Sequence, residues 1–145
     1  MGIIRKCYVN ASAKTDCLPI TFEVKKAVAE SGCAFGCVQV FSAHATTALV
    51  ILENDPKICD EYKNLLEKLV PESAEKRPAR RSGSGKNSAH LRAALVGNSL
   101  SLPIAESKLQ LGAWQEIMVV DCDDKVCRRE ILIVVSGESV AAGGK

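Results

Sequence analysis

The last third of the chain restricts the fold more than any other stretch. Residues 100–104, 114–121 and 126–136 are dense in Val, Ile and Leu and are parted by polar or glycine-containing segments. Runs of this kind read as strands, and Asp123-Asp124 falls in a tight connection between the last two. Upstream, residues 3–9 and 37–41 read as strands, and 48–52 form another apolar run. Side chains alternate along a strand, so Val38 and Val40 share one face and Phe41 takes the other.

Three helices interrupt this pattern. Ile20, Val24, Ala27 and Val28 recur at helical spacing, with Gly32 as the stop. The clearest helix has Asp55 as cap, Pro56 in its first turn and a stripe of Ile58, Tyr62, Leu65, Leu66 and Leu69, with Pro71 ending it. Asn87 caps a short third helix that turns Leu91, Ala94 and Leu95 inward and ends at Gly97. Residues 72–86 have no periodicity and read as an exposed basic loop. No internal repeat is present. The expectation is one α+β domain over residues 1–145, a mostly antiparallel sheet or sandwich with helices on one side.

A chain of 145 residues, 47% hydrophobic and 25% charged, excludes disorder and collagen-like repeats. Its net charge of +2 gives no global field to attract nucleic acid. No apolar run is long enough for a membrane helix. Gly2 is not followed by a myristoylation pattern, because Lys6 stands where Ser or Thr is required. The seven cysteines are an odd number with no legible signal peptide, which favours packed, reduced thiols over a disulfide framework. Neither Cys33/Cys37 nor Cys122/Cys127 has the spacing of a zinc ribbon. The expected compartment is the cytoplasm.

Chemistry concentrates around the only two histidines. In Ser42-Ala43-His44-Ala45-Thr46-Thr47 an imidazole and two hydroxyls replace the Gly, Asn or Asp of a plain hairpin. Strand phase puts His44 on the face of Val40 and Ser42, at the rim of a half-buried surface. A structural histidine flanked by β-forming threonines is the competing reading. His90 follows Asn87 in the first turn of its helix, where free backbone N–H groups favour an anion. A capping or surface histidine competes there. Lys76, Arg77, Arg80, Arg81 and Lys86 lead into that helix and could clamp a phosphate, although a solvated charge run is the commoner use. Ser84-Gly85-Lys86 fails as a Walker motif, since Arg80 and Asn87 occupy required positions. Trp114, the only tryptophan, stands at a strand start beside Gly112 and Gln115, and a packed core aromatic is the competing reading there. Arg128 and Arg129 open the last strand.

Taken together these segments resemble the YjbQ family. The matching strings are His44-Ala45-Thr46-Thr47-Ala48, Glu53-Asn54-Asp55-Pro56, Val70-Pro71, Ser88-Ala89-His90-Leu91 and Gly97-Asn98-Ser99-Leu100. They continue with Leu111-Gly112-Ala113-Trp114-Gln115, Arg128-Arg129 and Ser136-Gly137-Glu138, in order over nearly the whole chain. The resemblance implies an α+β fold assembled as a homotrimer. It also implies a polar cleft holding His44, Glu53, Asn54, His90, Trp114 and Gln115. Family members have been described as secondary thiamine-phosphate synthases, joining a pyrimidine pyrophosphate to a thiazole phosphate. They usually carry a further histidine between the proline after the long helix and the second histidine. Here residues 72–81 contain none and several arginines.

The leading expectation is therefore a transferase-like protein acting on a phosphorylated small molecule. His44 and His90 form its acid/base or metal-ligand pair, and Glu53 orients one of them. Thr46, Thr47, Asn54, Asn87 and Gln115 would bind substrate, Trp114 would form an apolar wall, and Arg129 would neutralise phosphate. A diphosphate leaving group calls for a divalent ion such as Mg or Zn, with carboxylates near Asp55 and Asp60 as further candidates. The alternative is a non-catalytic trimeric binding or scaffold protein. A nucleic-acid partner at the basic loop ranks last, since no aromatic is interleaved there to stack on bases.

Overall fold

Alternating burial sorts the strands into two facing sheets. The structure, a computed structural model, describes residues 1–12, 14–72 and 87–140. The basic loop, with Lys76, Arg77, Arg80, Arg81 and Lys86, lies outside the described residues. The elements run β1 (Gly2–Ala11), β2 (Asp16–Pro19), α1 (Thr21–Ser31), β3 (Cys33–Ser42), β4 (Thr47–Leu52) and α2 (Pro56–Leu69). They continue with α3 (Asn87–Val96), β5 (Ser99–Ala105), β6 (Lys108–Leu109), β7 (Glu116–Asp121) and β8 (Cys127–Ser139). One sheet has the order β1-β8-β3-β5-β6 and the other β2-β7-β4. Every pairing is antiparallel. The fold is the expected mostly antiparallel α+β domain.

Two short connections do not close hairpins. Residues 43–46 carry the chain from β3 in the large sheet to β4 in the small one, and 122–126 carry it back from β7 to β8. Both are sandwich corners. Val38, Val40, Ile131, Ile133 and Val135 of the large sheet meet Leu49, Ile117 and Val119 of the small one. Helix α1 enters the same core through Ile20, Val24, Ala27 and Val28, and Gly32 ends it at φ 69°. Ala48 and Val120 point the other way, against Leu66 of α2 and Ala89 and Ala93 of α3. Strand β7 is therefore buried on both faces, which is why Ile117 to Val120 is an unbroken apolar run.

Helix α2 begins as its sequence dictates, with Asp55 Oδ1 accepting from the Lys57 and Ile58 amides. Its apolar stripe is only partly covered: Leu66 is buried while Leu65 and Leu69 are exposed. Helix α3 corrects the expectation for its inward face. Leu91 and Leu95 are 59% and 58% exposed, while Ser88, Ala89, Arg92 and Ala93 are buried. Ala89 and Ala93 face Ala48, and Leu91 and Leu95 turn outward. Trp114 and Gln115 precede β7 rather than opening it.

Gly36 and Gly137 meet where β3 and β8 pair beside a register shift between Cys33 and Phe35. A Cβ on Gly36 would lie 2.1 Å from the Ser136 carbonyl oxygen. Gly137 has φ 153°, and a Cβ there would lie 2.2 Å from the Phe35 oxygen. Gly36→Ala is expected to lower stability by about 1–3 kcal/mol, measured by urea unfolding, because backbone must move to admit the methyl.

Candidate functional site

The end of the sandwich where both corners lie is polar inside. Arg129 has the strand phase of Ile131 and Ile133, and Asp121 has that of Ile117 and Val119, so both point into the core. Arg129 Nε donates to Asp121 Oδ2, and one Nη donates to Asp121 Oδ1 (3.3 Å), Asp123 Oδ2 (3.2 Å) and Thr46 Oγ1 (3.1 Å). Thr46 Oγ1 in turn donates to Asp123 Oδ2 at 3.3 Å. Asp121 Oδ1 accepts the Asp123 amide (2.9 Å) and Asp123 Oδ1 the Asp124 amide (2.8 Å). One guanidinium thus ties the two sheets and both corners together.

Burial by itself would raise the Asp123 carboxyl, but hydrogen bonds from Asp124 and Arg129 outweigh it and hold Asp123 below the usual carboxylate range. Burial also works against the Arg129 charge, and Asp121 more than offsets it, keeping the guanidinium firmly protonated. The phosphate contact expected at Arg129 meets a group already shared among three internal partners.

His44 stands on this platform. Ser42 and Ile131 form the last β3–β8 pair. Past that pair the Glu130 amide donates to His44 Nε2 at 3.1 Å, so the ring replaces a carbonyl where β3 leaves the sheet. With Nε2 accepting, the ring proton lies on Nδ1. The half-buried His44 lines a 230 Å³ cavity with Thr47, Ala93, Ala94, Gly97 and Asn98. Thr47 is fully buried, and its Oγ1 has no hydrogen-bond partner among the described residues. His90 is half-buried and lies four residues before Ala94, on the same helix face and about 6 Å along the axis. His90 thus lies about one helical turn from the Ala94 lining of the His44 cavity, with Asn87 exposed at the start of α3.

The other expected residues lie elsewhere. His44 precedes β4 and Glu53 follows it, so a six-residue strand separates them by roughly 20 Å. Within one chain Glu53 does not orient His44. Leu52 pairs with Glu116, which places Glu53 and Asn54 beside Trp114 and Gln115 at the far end of the small sheet. Trp114 is 75% exposed and is not a core aromatic. Gln115 Oε1 accepts the Gly112 amide at 2.8 Å and shapes the turn beneath it.

Among the described residues no three of His, Cys, Asp and Glu converge as a metal ligand set. Asp55 caps α2, and Asp60 pairs with Lys63 at 3.7 Å. All seven cysteines are free, and burial pushes the Cys7 and Cys122 thiols up to about 11 and Cys17 to about 12. Sequence reasoning missed Asp121, Asp123, Asn98 and Arg92. The signal for the first pair was a charged Arg129 standing in the phase of core isoleucines.

The profile of the family described as "UPF0047 protein YjbQ-like" matches residues 5–138. A UPF0047 protein of Archaeoglobus fulgidus is 33% identical over 86% of this chain and 94% of its own length. One from Methanothermobacter thermautotrophicus is 31% identical over 90% of this chain and 89% of its own. A YbjQ-like protein of unknown function from Sulfolobus solfataricus superposes with a TM-score of 0.82 at 25% identity, covering 95% of this chain and 99% of that one. An uncharacterised YjbQ/UPF0047 protein of Clostridium acetobutylicum superposes at 0.79 with 30% identity, covering 91% and 99%.

Arg129→Met strands the buried Asp121 and is expected to cost about 3–5 kcal/mol in urea unfolding. Asp123→Asn is expected to be less stable than wild type at pH 7. A depressed carboxyl contributes stability above its unfolded value and loses it as pH falls through the lower folded one. Below about pH 4 the wild type therefore loses stability more steeply than Asp123→Asn, and the two acid-unfolding curves converge.

Proposed function

The chain belongs to the UPF0047 YjbQ-like family, and on that premise we propose that it acts on a phosphorylated small molecule at a site shared between copies of the chain. The observation carrying this reading is the division of the expected site residues between the two ends of β4. A 230 Å³ cavity at His44 is small for an organic phosphate by itself. A homotrimer, the assembly the resemblance implies, would set the Trp114, Gln115, Glu53 and Asn54 end of one copy against the His44 end of the next. Trp114 suits that role as a large exposed aromatic.

In this arrangement His44 Nδ1–H, the unpartnered Thr47 hydroxyl and Asn98 donate to phosphate oxygens, with His90 beside them. Trp114 covers the organic part, and Glu53 and Asn54 hydrogen-bond it. The reaction to test is the one the family resemblance implies. The thiazole nitrogen forms a C–N bond to the pyrimidine methylene carbon, the C–O bond breaks, and diphosphate leaves with the electron pair. Mg or Zn would suit diphosphate, but the described residues of one chain do not converge on such an ion, so no step is assigned to it.

Thiamine phosphate formation from the two precursors tests both parts. His44→Ala and Trp114→Ala are each expected to lower the rate by about 10²-fold or more. Randomly mixed trimers of the two variants should recover about a quarter of wild-type activity, because that share of interfaces unites an intact His44 with an intact Trp114. A wild type that forms no thiamine phosphate overturns the chemistry. A mixture no more active than either variant overturns the shared site.

A further inference from the structure

On the far side of the Asp123 corner lies a second cavity, of 650 Å³, bounded by β2, α2, α3 and the 122–126 connection. It shares no lining residue with the His44 cavity. Arg92 of α3 lines it beside Cys122. The Arg92 side chain belongs to a residue only 3% exposed. Its Nε donates to the Val70 carbonyl at 2.8 Å, which ties α3 to the end of α2. Its Nη2 is buried with no hydrogen-bond partner, and Arg92 forms no ion pair among the described residues. A buried guanidinium without a counter-ion is costly, and so is a buried donor left unmade. That unmade donor, on a residue lining the cavity, is what calls for an anion.

The remaining lining points the other way. Among the described residues six carboxylates and three cations, Arg92 included, surround the space. Asp60, Lys63, Asn64 and Glu67 form one face of α2, spaced one helical turn apart. Lys63 is turned toward Asp60 at 3.7 Å, and Asp123 is held by Arg129. Asp16 on β2 adds a further carboxylate to the lining that Arg92 shares. A simple anion would be drawn to Arg92 but repelled by the surrounding carboxylates, and a simple cation would find the reverse. We propose that this cavity binds a small zwitterion whose carboxylate or phosphate takes the Arg92 Nη2 hydrogen bond while its ammonium lies among Asp16, Asp60 and Glu67. The reading is independent of the one made for His44, since it rests on a different cavity and different residues.

Calorimetric titration of the full chain with four probes tests it: O-phosphoethanolamine, β-alanine, inorganic phosphate and ethanolamine. One of the two zwitterions is expected to bind at least about tenfold more tightly than either single-charge probe, the scale of one charge-assisted hydrogen bond. Which zwitterion does so identifies the anion as phosphate or carboxylate. Arg92→Met keeps the buried stem and should reduce that affinity about tenfold or more. Asp60→Asn with Glu67→Gln changes only exposed positions of α2, and should weaken the zwitterion severalfold without weakening phosphate. If Arg92→Met fails to fold, the α2 double variant decides alone. Neither zwitterion binding more tightly than phosphate and ethanolamine, an unchanged affinity in the double variant, or no binding of any probe at millimolar concentration overturns the proposal.

Discussion

The Arg129 guanidinium, buried between Asp121 and Asp123, is the contact on which the rest of this end of the molecule depends. Buried ion pairs add little net stability, because desolvation offsets much of the attraction. Their value here is geometric. Arg129 belongs to the large sheet and Asp121 to the small one, and the pair closes only if the sheets face each other in this register. Once it closes, Thr46 and Asp123 fall within reach of the same nitrogen, and both corners are fixed at one stroke. His44 inherits its position from that arrangement, held by the first β8 amide beyond the β3 pairing.

The small sheet then acts as a spacer. Strand β4 carries the histidine corner at its start and Glu53 at its end, and β7 runs beside it from Trp114 to Asp121. Polar residues that follow one another closely in sequence are thereby sent to opposite ends of the domain. Small residues of α3 settle on the outer face of β4, bringing His90 within about one helical turn of the His44 cavity lining and placing Arg92 in the lining of the larger cavity. A protein arranged this way offers two chemically different ends, one aromatic and exposed, the other polar and partly enclosed.

Much of the local structure was legible. The Asp55 cap, the Gly32 stop and the Val38/Val40 phase are short-range effects, and each appears as expected. Strands β2 and β6 went unseen because four and two residues are too few to show a period. The candidate site was legible as residue types in motifs, and less so as a place. A lone tryptophan is most often core, the competing reading of Trp114, yet it stands outside because β7 begins only after it. Leu91 and Leu95 look inward by hydropathy, but α3 buries Ala89 and Ala93 instead.

The sequence by itself determined the three helices and the longer strands, since side-chain period and capping act over a few residues. Tertiary structure alone decided that residues 43–46 and 122–126 are corners rather than hairpins, because a connection of that length serves either purpose. It also decided that Arg129 serves the core, that Arg92 has no counter-ion among the described residues, and that Glu53 stands a strand's length from His44. Those outcomes follow from how two sheets bury their inner faces against each other, a constraint between residues far apart in the chain that no local pattern records.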